Sequence, residues 1–523
     1  RQVPLVLVVV FLVMMAAFRH PVPALVSLAE VGVSLVCTVG LMGLLGQAVF
    51  VTTLALPVIL IVIGVTDDVY ALNRYFAELR RNPGRPVRET VEASFTAVAR
   101  PVALTAATTV TGLLSLTLTA LEPQRVFGLY GAVSVAVSTL LTFTLLPALL
   151  VLLKPGADPS RRSFAGWTEV LLERFVAAIR IAHPGRIAAG AALVLACAVA
   201  LTGLRLRIED NWIGNLPPSS STVQGDRAIN RLLAGTNTLD LMIDSGKPEG
   251  FLDPGAVAAL GAVEDALLAS PDIGAVQSSF GEMARVNASL LDVAYRPYRD
   301  ALRRGERTMG RSEVEQALLL LASSGNSPGP ARLDSEYRRA RLTVFVRGAN
   351  YSRMGAVLRL ATETVRQRFG PGFTATPFGD GWIGVQSIRL LVLGQLSSIS
   401  FAVMANLALL VILFRSLPTA LVAIAPVIFS ILFVFGVLAA VGAPLGTANS
   451  MFAAIALGIG VDYSIHLVAS FREKLQQGLA KREALTSAMV ATGPAILTSA
   501  LAIIAGFSIL TFSEVPPNWQ LGL

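Results

Sequence analysis

The chain is 523 residues long, 54% hydrophobic and only 15% charged, with a formal net charge of +8 and a mean hydropathy of +0.66. That composition excludes an ordinary soluble globular protein and specifies a polytopic membrane protein. Three histidines, each separate in sequence, support neither a metal site nor a Ser-His-Asp triad. No GxxxxGK[ST] sequence is present, which argues against ATP as the direct energy source.

Charges, Pro and Gly mark off ten apolar segments in chain order: Val3–Phe18 (short), Val22–Gly46, Val49–Tyr70, Val102–Leu121, Val126–Leu153, Ile187–Leu204, Leu390–Phe414, Thr419–Val441, Ala448–Leu467 and Ala495–Phe512. The first is too short to span comfortably and no initiator Met precedes it, while "NWQLGL" reads as the start of another element. The chain is therefore expected to be a fragment of a longer polypeptide. Basic residues fall in three loops: Arg74, Arg80, Arg81, Arg85, Arg88 and Arg100; Lys154, Arg161, Arg162, Arg174, Arg180 and Arg186; and Arg472, Lys474, Lys481 and Arg482. With these loops cytoplasmic the spans thread consistently, and the segment from about Arg205 to Arg389 falls outside. The positive charge thus reports topology and not nucleic-acid binding. Cys37 and Cys197 lie within spans and are expected to be buried, unpaired thiols.

The outer segment has another texture. Thr238–Asp244, Ile273–Phe280 and Arg339–Val346 read as strands, and Pro254–Ala269, Ser312–Ser323 and Ser352–Phe369 as helices, which predicts βαβ-type layering.

The membrane segments repeat. "FRHPVPALV" (Phe18–Val26) recurs as "FRSLPTALV" (Phe414–Val422), "GVTDDVYALNRYFAEL" as "GIGVDYSIHLVASFREKL", and "RPVALTAATTVTGLLSL" as "GPAILTSALAIIAGFSIL". Asp67 thereby pairs with Asp462, Asp68 with Tyr463, Pro101 with Pro494 and Thr105 with Thr498. Parallel repeats of this kind imply a pseudo-two-fold axis along the membrane normal.

Asp67, Asp68 and Asp462 are the residues that stand out, because a carboxylate inside a span is expensive. They could be solvated span ends, but recurrence of Asp67 and Asp462 in equivalent spans favours a shared role. A carboxylate removed from water and set beside another binds a proton more readily, which is what coupling to a proton gradient needs. Tyr463 can donate to such a group, and His466, four residues after Asp462 on the same helical face, is either a relay partner or structural. Thr105, Thr108, Thr109, Thr498 and Ser499 could support the relay or simply bond their own backbone. Glu30 is a further carboxylate within a span, without an acidic counterpart in the second half, and is a candidate for a substrate path.

These residues resemble the resistance-nodulation-division (RND) permease superfamily, carried by "GIGVDYSIHL", the "LFRSLPTALVAIAP" turn, the "PAILTSA" span and the two-half repeat. Within it the chain is most similar to the branch of the mycobacterial membrane protein large (MMPL) transporters and the hopanoid transporters, with Patched and the sterol-sensing domain proteins more distant. The resemblance implies a polytopic α-helical fold of two pseudo-symmetric sets of six spans, about ten visible here, plus an α+β periplasmic porter-like domain with βαβ units. It divides the chain into a first transmembrane half (1–153, spans 2–6), a cytoplasmic linker (154–186), span 7 (187–204), a periplasmic domain (205–388) and a second half (389–523, spans 8–11 and the start of 12). It further implies a multi-pass protein of the bacterial inner membrane, without cofactor or enzymatic activity, that exports a lipid or other hydrophobic substrate on the proton-motive force. Its partners would be membrane lipids, the substrate, and a periplasmic adaptor or a second copy. On this pattern the proton relay falls on Asp67, Asp462 and Tyr463. The chain departs from relatives with Asp-Tyr pairs in both halves by carrying Asp68 where they have Tyr. The sterol-sensing relatives imply the alternative of a lipid-binding sensor or scaffold without transport.

Overall fold

The computed structural model describes residues 2–50, 52–155, 174, 184–209, 213–323, 332–348 and 350–522. The linker expected over 154–186, with Arg161, Arg162 and Arg180, lies mostly outside the described residues. The chain divides into two compact units, Arg1–Arg207 with Leu390–Leu523, and Ile208–Arg389.

The first half of the membrane unit is built from α1 (Gln2–Phe18), α2 (Pro21–Leu44), α3 (Leu56–Arg81), α4 (Val87–Leu114) and α5 (Glu122–Leu153), and α6 (Pro184–Arg205) opens the second half, packing along the helix Leu417–Val441. Pro21 and Pro23 sit in the first turn of α2, where a missing N–H is harmless. The His20 imidazole accepts from the Val22 N–H at 3.2 Å and caps the turn. α4 runs straight through Pro101, so it begins well before the span predicted from Val102: Pro and Arg end an apolar run without ending a helix that neighbouring helices support.

The second unit holds α7 (Ser221–Leu232), β1 (Asn237–Asp244), α8 (Pro254–Leu268), β2 (Ile273–Gln277), α9 (Ser279–Leu290), α10 (Tyr295–Arg303), α11 (Arg311–Ser323), β3 (Arg339–Val346), α12 (Tyr351–Phe369) and β4 (Thr374–Phe378). Strand order is β2-β3-β1-β4, every neighbouring pair antiparallel. Because β1 and β2 both run against β3, they are parallel to each other with β3 between them. β3 and β4 stand likewise about β1. The βαβ units are therefore split ones, in a βαββαβ arrangement with α9, α10 and α11 inserted before β3. Alternation builds the core: Leu239, Leu241 and Ile243 of β1 and Ala340, Leu342, Val344 and Val346 of β3 are all fully buried.

Two departures from the sequence expectation have simple causes. The strand predicted to Phe280 stops at Gln277, because the Ser278 hydroxyl accepts from the Phe280 N–H at 3.1 Å and starts α9. β4 escaped prediction because it contains Pro377, tolerated here on an edge strand.

At the β1/β3 end, Arg338 Nε and Arg339 Nε donate to Asp244 at 2.9 and 3.1 Å and the Gly246 N–H at 2.8 Å. The Arg338 guanidinium, helped by that N–H, pulls Asp244 from an ordinary 3.8 down to about 2. A carboxyl depressed in the folded state stabilises it above its ordinary value and loses that contribution as pH falls through the folded one. Hydrogen exchange of the β1 and β3 amides is expected to rise between pH 3.8 and about 2 in the wild type and to lack that step in Asp244→Asn. An unchanged step would show that other groups control it.

The second half of the membrane unit continues with α13 (Gly379–Phe414), whose residues from Leu390 onward belong to it, α14 (Leu417–Val441), a single turn at Thr447–Ser450, α15 (Phe452–Gln476), α16 (Lys481–Ser508) and α17 (Pro516–Gly522). Among the described residues nine helices are long and apolar enough to cross a membrane, and α1 is a shorter apolar helix. The sequence repeat is visible in backbone detail. α4 and α16 each contain a mid-helix Pro, Pro101 and Pro494, and each ends in a 3-10 turn, Ser115–Leu118 and Ile509–Phe512. Arg19 and Arg415, equivalent residues of the "FR" turns, both take the left-handed backbone at φ 50° and 48°.

α3 is the most enclosed span, with 89% of its apolar stretch buried against 50% for α4 and for α15. It packs against α2, α4, α5 and α16, while α4 also packs along α15, joining the halves. Cys37 and Cys197 are unpaired, but both are exposed and not buried. They sit on helix faces turned away from the bundle, where a lipid-facing thiol is as compatible with its surroundings as a buried one.

Candidate functional site: a row of carboxylates between the halves

Where α4 meets α15 the backbones almost touch. A Cβ on Gly112 would lie 2.8 Å from the Ala454 carbonyl oxygen, and one on Gly458 2.9 Å from Thr109 Cα. Small residues let two spans approach this closely, and the contact places the next turn of each helix side by side. Thr108 Oγ1 donates to Asp462 Oδ1 at 3.4 Å, and one turn earlier Thr105 Oγ1 donates to Asp67 Oδ1 at 3.5 Å. A single helix of the first half thus reaches the repeated aspartates of both halves. The two are near enough for the charge of Asp67 to act on Asp462. Asp462 is 6% exposed, so it is not a solvated span end, while Asp67 is half-buried.

These contacts are long, at the limit for an O–H···O bond, and each hydroxyl has a better partner. Thr105 bonds the Val102 carbonyl at 2.8 Å, Thr108 the Thr105 carbonyl at 2.7 Å. Thr139 of α5, which reaches Asp67 Oδ2 at 3.5 Å, bonds the Val135 carbonyl at 2.9 Å. The hydroxyl protons rest on their own helix backbone and the two aspartates are lightly held. A cavity of about 10 Å³, lined by Asp67, Gly64, Ser134 and Ser138 among others, gives Asp67 room for one water.

Asp68 points the other way along α3. It is fully buried and Thr142 Oγ1 donates to its Oδ1 at 3.0 Å. Beside it lies Glu30 of α2, also fully buried, which accepts from Ser138 Oγ at 3.0 Å. A Cβ at position 64 would fall 2.8 Å from Val31 and 3.0 Å from Ser138 Oγ, so Gly64 is what allows α2 and α5 to close on α3 here.

The remaining predicted residues divide. Tyr463 lies beside Asp462 and Ser499, and Ser499 is fully buried. Thr498 bonds the Pro494 carbonyl at 2.8 Å, and Thr109 serves the helix contact with Gly458. His466 stacks on Tyr70, ring centroids 3.6 Å apart and planes 12° from parallel, with its Nε2 buried and without a partner. Tyr70, Ser138, Thr139 and Thr142 were missed from the sequence. Tyr70 alone had a signal, falling one turn after Asp67. Among the described residues no group of three or more His, Cys, Asp or Glu could hold a metal. In the second unit a cavity of about 400 Å³ is lined by Asp226, Thr238, Met354, Tyr351 and Asp380 among others.

The MMPL family model matches residues 3–177 and 370–523. Over 259 residues, 48% of the chain, it is 27% identical to "Probable transport protein MmpL12" of Mycobacterium tuberculosis, of which the match covers 22%. Over 176 residues, 34% of the chain, it is 27% identical to the protein MJ1562 of Methanocaldococcus jannaschii, of which the match covers 45%. The chain thus spans less than half the length of each of these relatives. The family model takes in α1–α5 and, from residue 370, the membrane helices that follow, the carboxylate row included though not α6, and the chain belongs to the MMPL family of membrane proteins.

Proposed function

We propose that this protein is a proton-driven exporter that moves a lipid or other hydrophobic substrate out of the bacterial inner membrane into the periplasm. The observation that carries the reading is the convergence of Asp67 and Asp462, equivalent residues of the two halves, on Thr105 and Thr108 of one helix. Loosely held carboxylates at an interface between repeats can gain and lose protons as the repeats rock against each other. Tyr463 and Tyr70 border the pair, and Asp68 extends it. The mixed cavity of the second unit supports a substrate path there, and the word "transport" in the name of MmpL12 agrees with the reading. The sensor alternative has no comparable observation in its favour, since lipid sensing does not call for repeated carboxylates.

The test is to purify the full-length protein, identify co-purifying lipids by mass spectrometry, and follow the enriched class across proteoliposomes with and without an imposed pH gradient. Export that requires the gradient supports the proposal. Specific lipid binding with gradient-independent or absent movement would favour the sensor.

A further inference from the structure

The Glu30–Asp68 pair lies outside the repeat. The positions equivalent to Glu30 and Asp68 in the second half are Pro426 and Tyr463, so nothing like the pair exists there. The two side chains lie close enough to act on each other, each has one oxygen that accepts a hydroxyl at 3.0 Å, and each has a second oxygen, Glu30 Oε2 and Asp68 Oδ2, fully buried and without a partner. The Ser27 hydroxyl, also buried and without a partner, adjoins Asp68.

Two ionised carboxylates cannot bond each other, since both only accept, and like charges in contact do not both ionise. One proton placed between them satisfies both orphan oxygens. The geometry points to a proton-binding site made by Glu30 and Asp68 that holds one proton, resident on Glu30 and donated to Asp68. Residence on Glu30 follows from the donors: Asp68 has Thr142 and Ser27 beside it to hold an anion, whereas Glu30 has Ser138 alone. The titratable groups acting on Glu30 from the helices packed against it are Asp68 and Asp67 of α3; from α5 it accepts from the Ser138 hydroxyl. Ser138, the donor to Glu30, also lines the small cavity next to Asp67, so a single water bound there would link the pair to the repeated aspartate.

The site and the transport reading fail separately, because the site is read from a resting protein and transport from a flux. The experiment is an infrared difference spectrum of the reconstituted full-length protein at neutral pH, wild type minus E30Q. The carbonyl stretch of a buried carboxylic acid, shifted in deuterium oxide, is expected in the wild type and lost in E30Q. S138A, which keeps both acids, is expected to retain the band at higher frequency, because the Glu30 carbonyl loses its donor. Asp462→Asn is expected to keep the band unchanged even though it stops transport. A wild type minus E30Q difference that is flat in that region, with no shift in S138A, would overturn the assignment. So would thermal stabilisation by sodium over choline at equal ionic strength that disappears in E30Q, since the site would then hold a cation and not a proton.

Discussion

Asp462→Asn is expected to abolish gradient-dependent export while leaving the protein as stable as the wild type or slightly more so. Asn has the shape of Asp and keeps the Thr108 contact at 3.4 Å, so the packing of α4 against α15 survives. What it cannot do is carry a proton. A buried carboxylate without a cationic partner is a burden on the fold, and among its neighbours Asp462 has a threonine and a second aspartate, so the neutral amide removes a penalty. Loss of a group that transfers protons lowers a rate by about 100-fold or more, and that is the size of drop to look for in proteoliposomes. Asp67→Asn should match it, because the two share one helix of donors. The opposite pattern, a lowered melting temperature with export intact, would show that the aspartates are structural.

The second large effect belongs to a glycine. In Gly458→Val the new Cβ would start 2.9 Å from Thr109 Cα and 3.3 Å from Thr109 Cγ2, and backbone cannot swing aside as a side chain can. Overpacking of this kind costs about 1–3 kcal/mol. The functional consequence is larger, because Gly458 is one turn before Asp462 and Thr109 adjoins Thr108. Parting the helices there lengthens a 3.4 Å contact beyond hydrogen-bonding range. Export is expected to fall together with the melting temperature. Gly40→Val, on α2 with nothing within 4 Å of the new Cβ, is the control and should melt like the wild type. If Gly458→Val melted like the control, the two halves would not depend on this contact.

Much of the architecture was legible because the sequence states it twice. The "FR" turns, the mid-helix prolines Pro101 and Pro494 and the aspartates Asp67 and Asp462 recur at nearly one spacing, and the structure gives the turns and the proline helices the same local geometry. Strand alternation was equally readable in "RARLTVFV", where every second residue is fully buried. What escaped was whatever depends on a second helix. The sequence marks Glu30 as odd but not that it faces Asp68, since they lie on different spans. Hydroxyls such as Thr142 and Ser138 carry no periodic signature inside an apolar run. Nor did His466, placed one turn after Asp462, reveal that its ring lies on Tyr70 of the other half.

The central claim is that Asp67 and Asp462 move protons as one unit when cargo moves. It is tested most directly by proteoliposomes that enclose a pH-sensitive dye and are given a cargo gradient instead of a proton gradient. A cargo-driven change of lumenal pH is expected in the wild type and none in Asp67→Asn or Asp462→Asn. Cargo movement without any pH change in the wild type, or a pH change that persists in either variant, would contradict it.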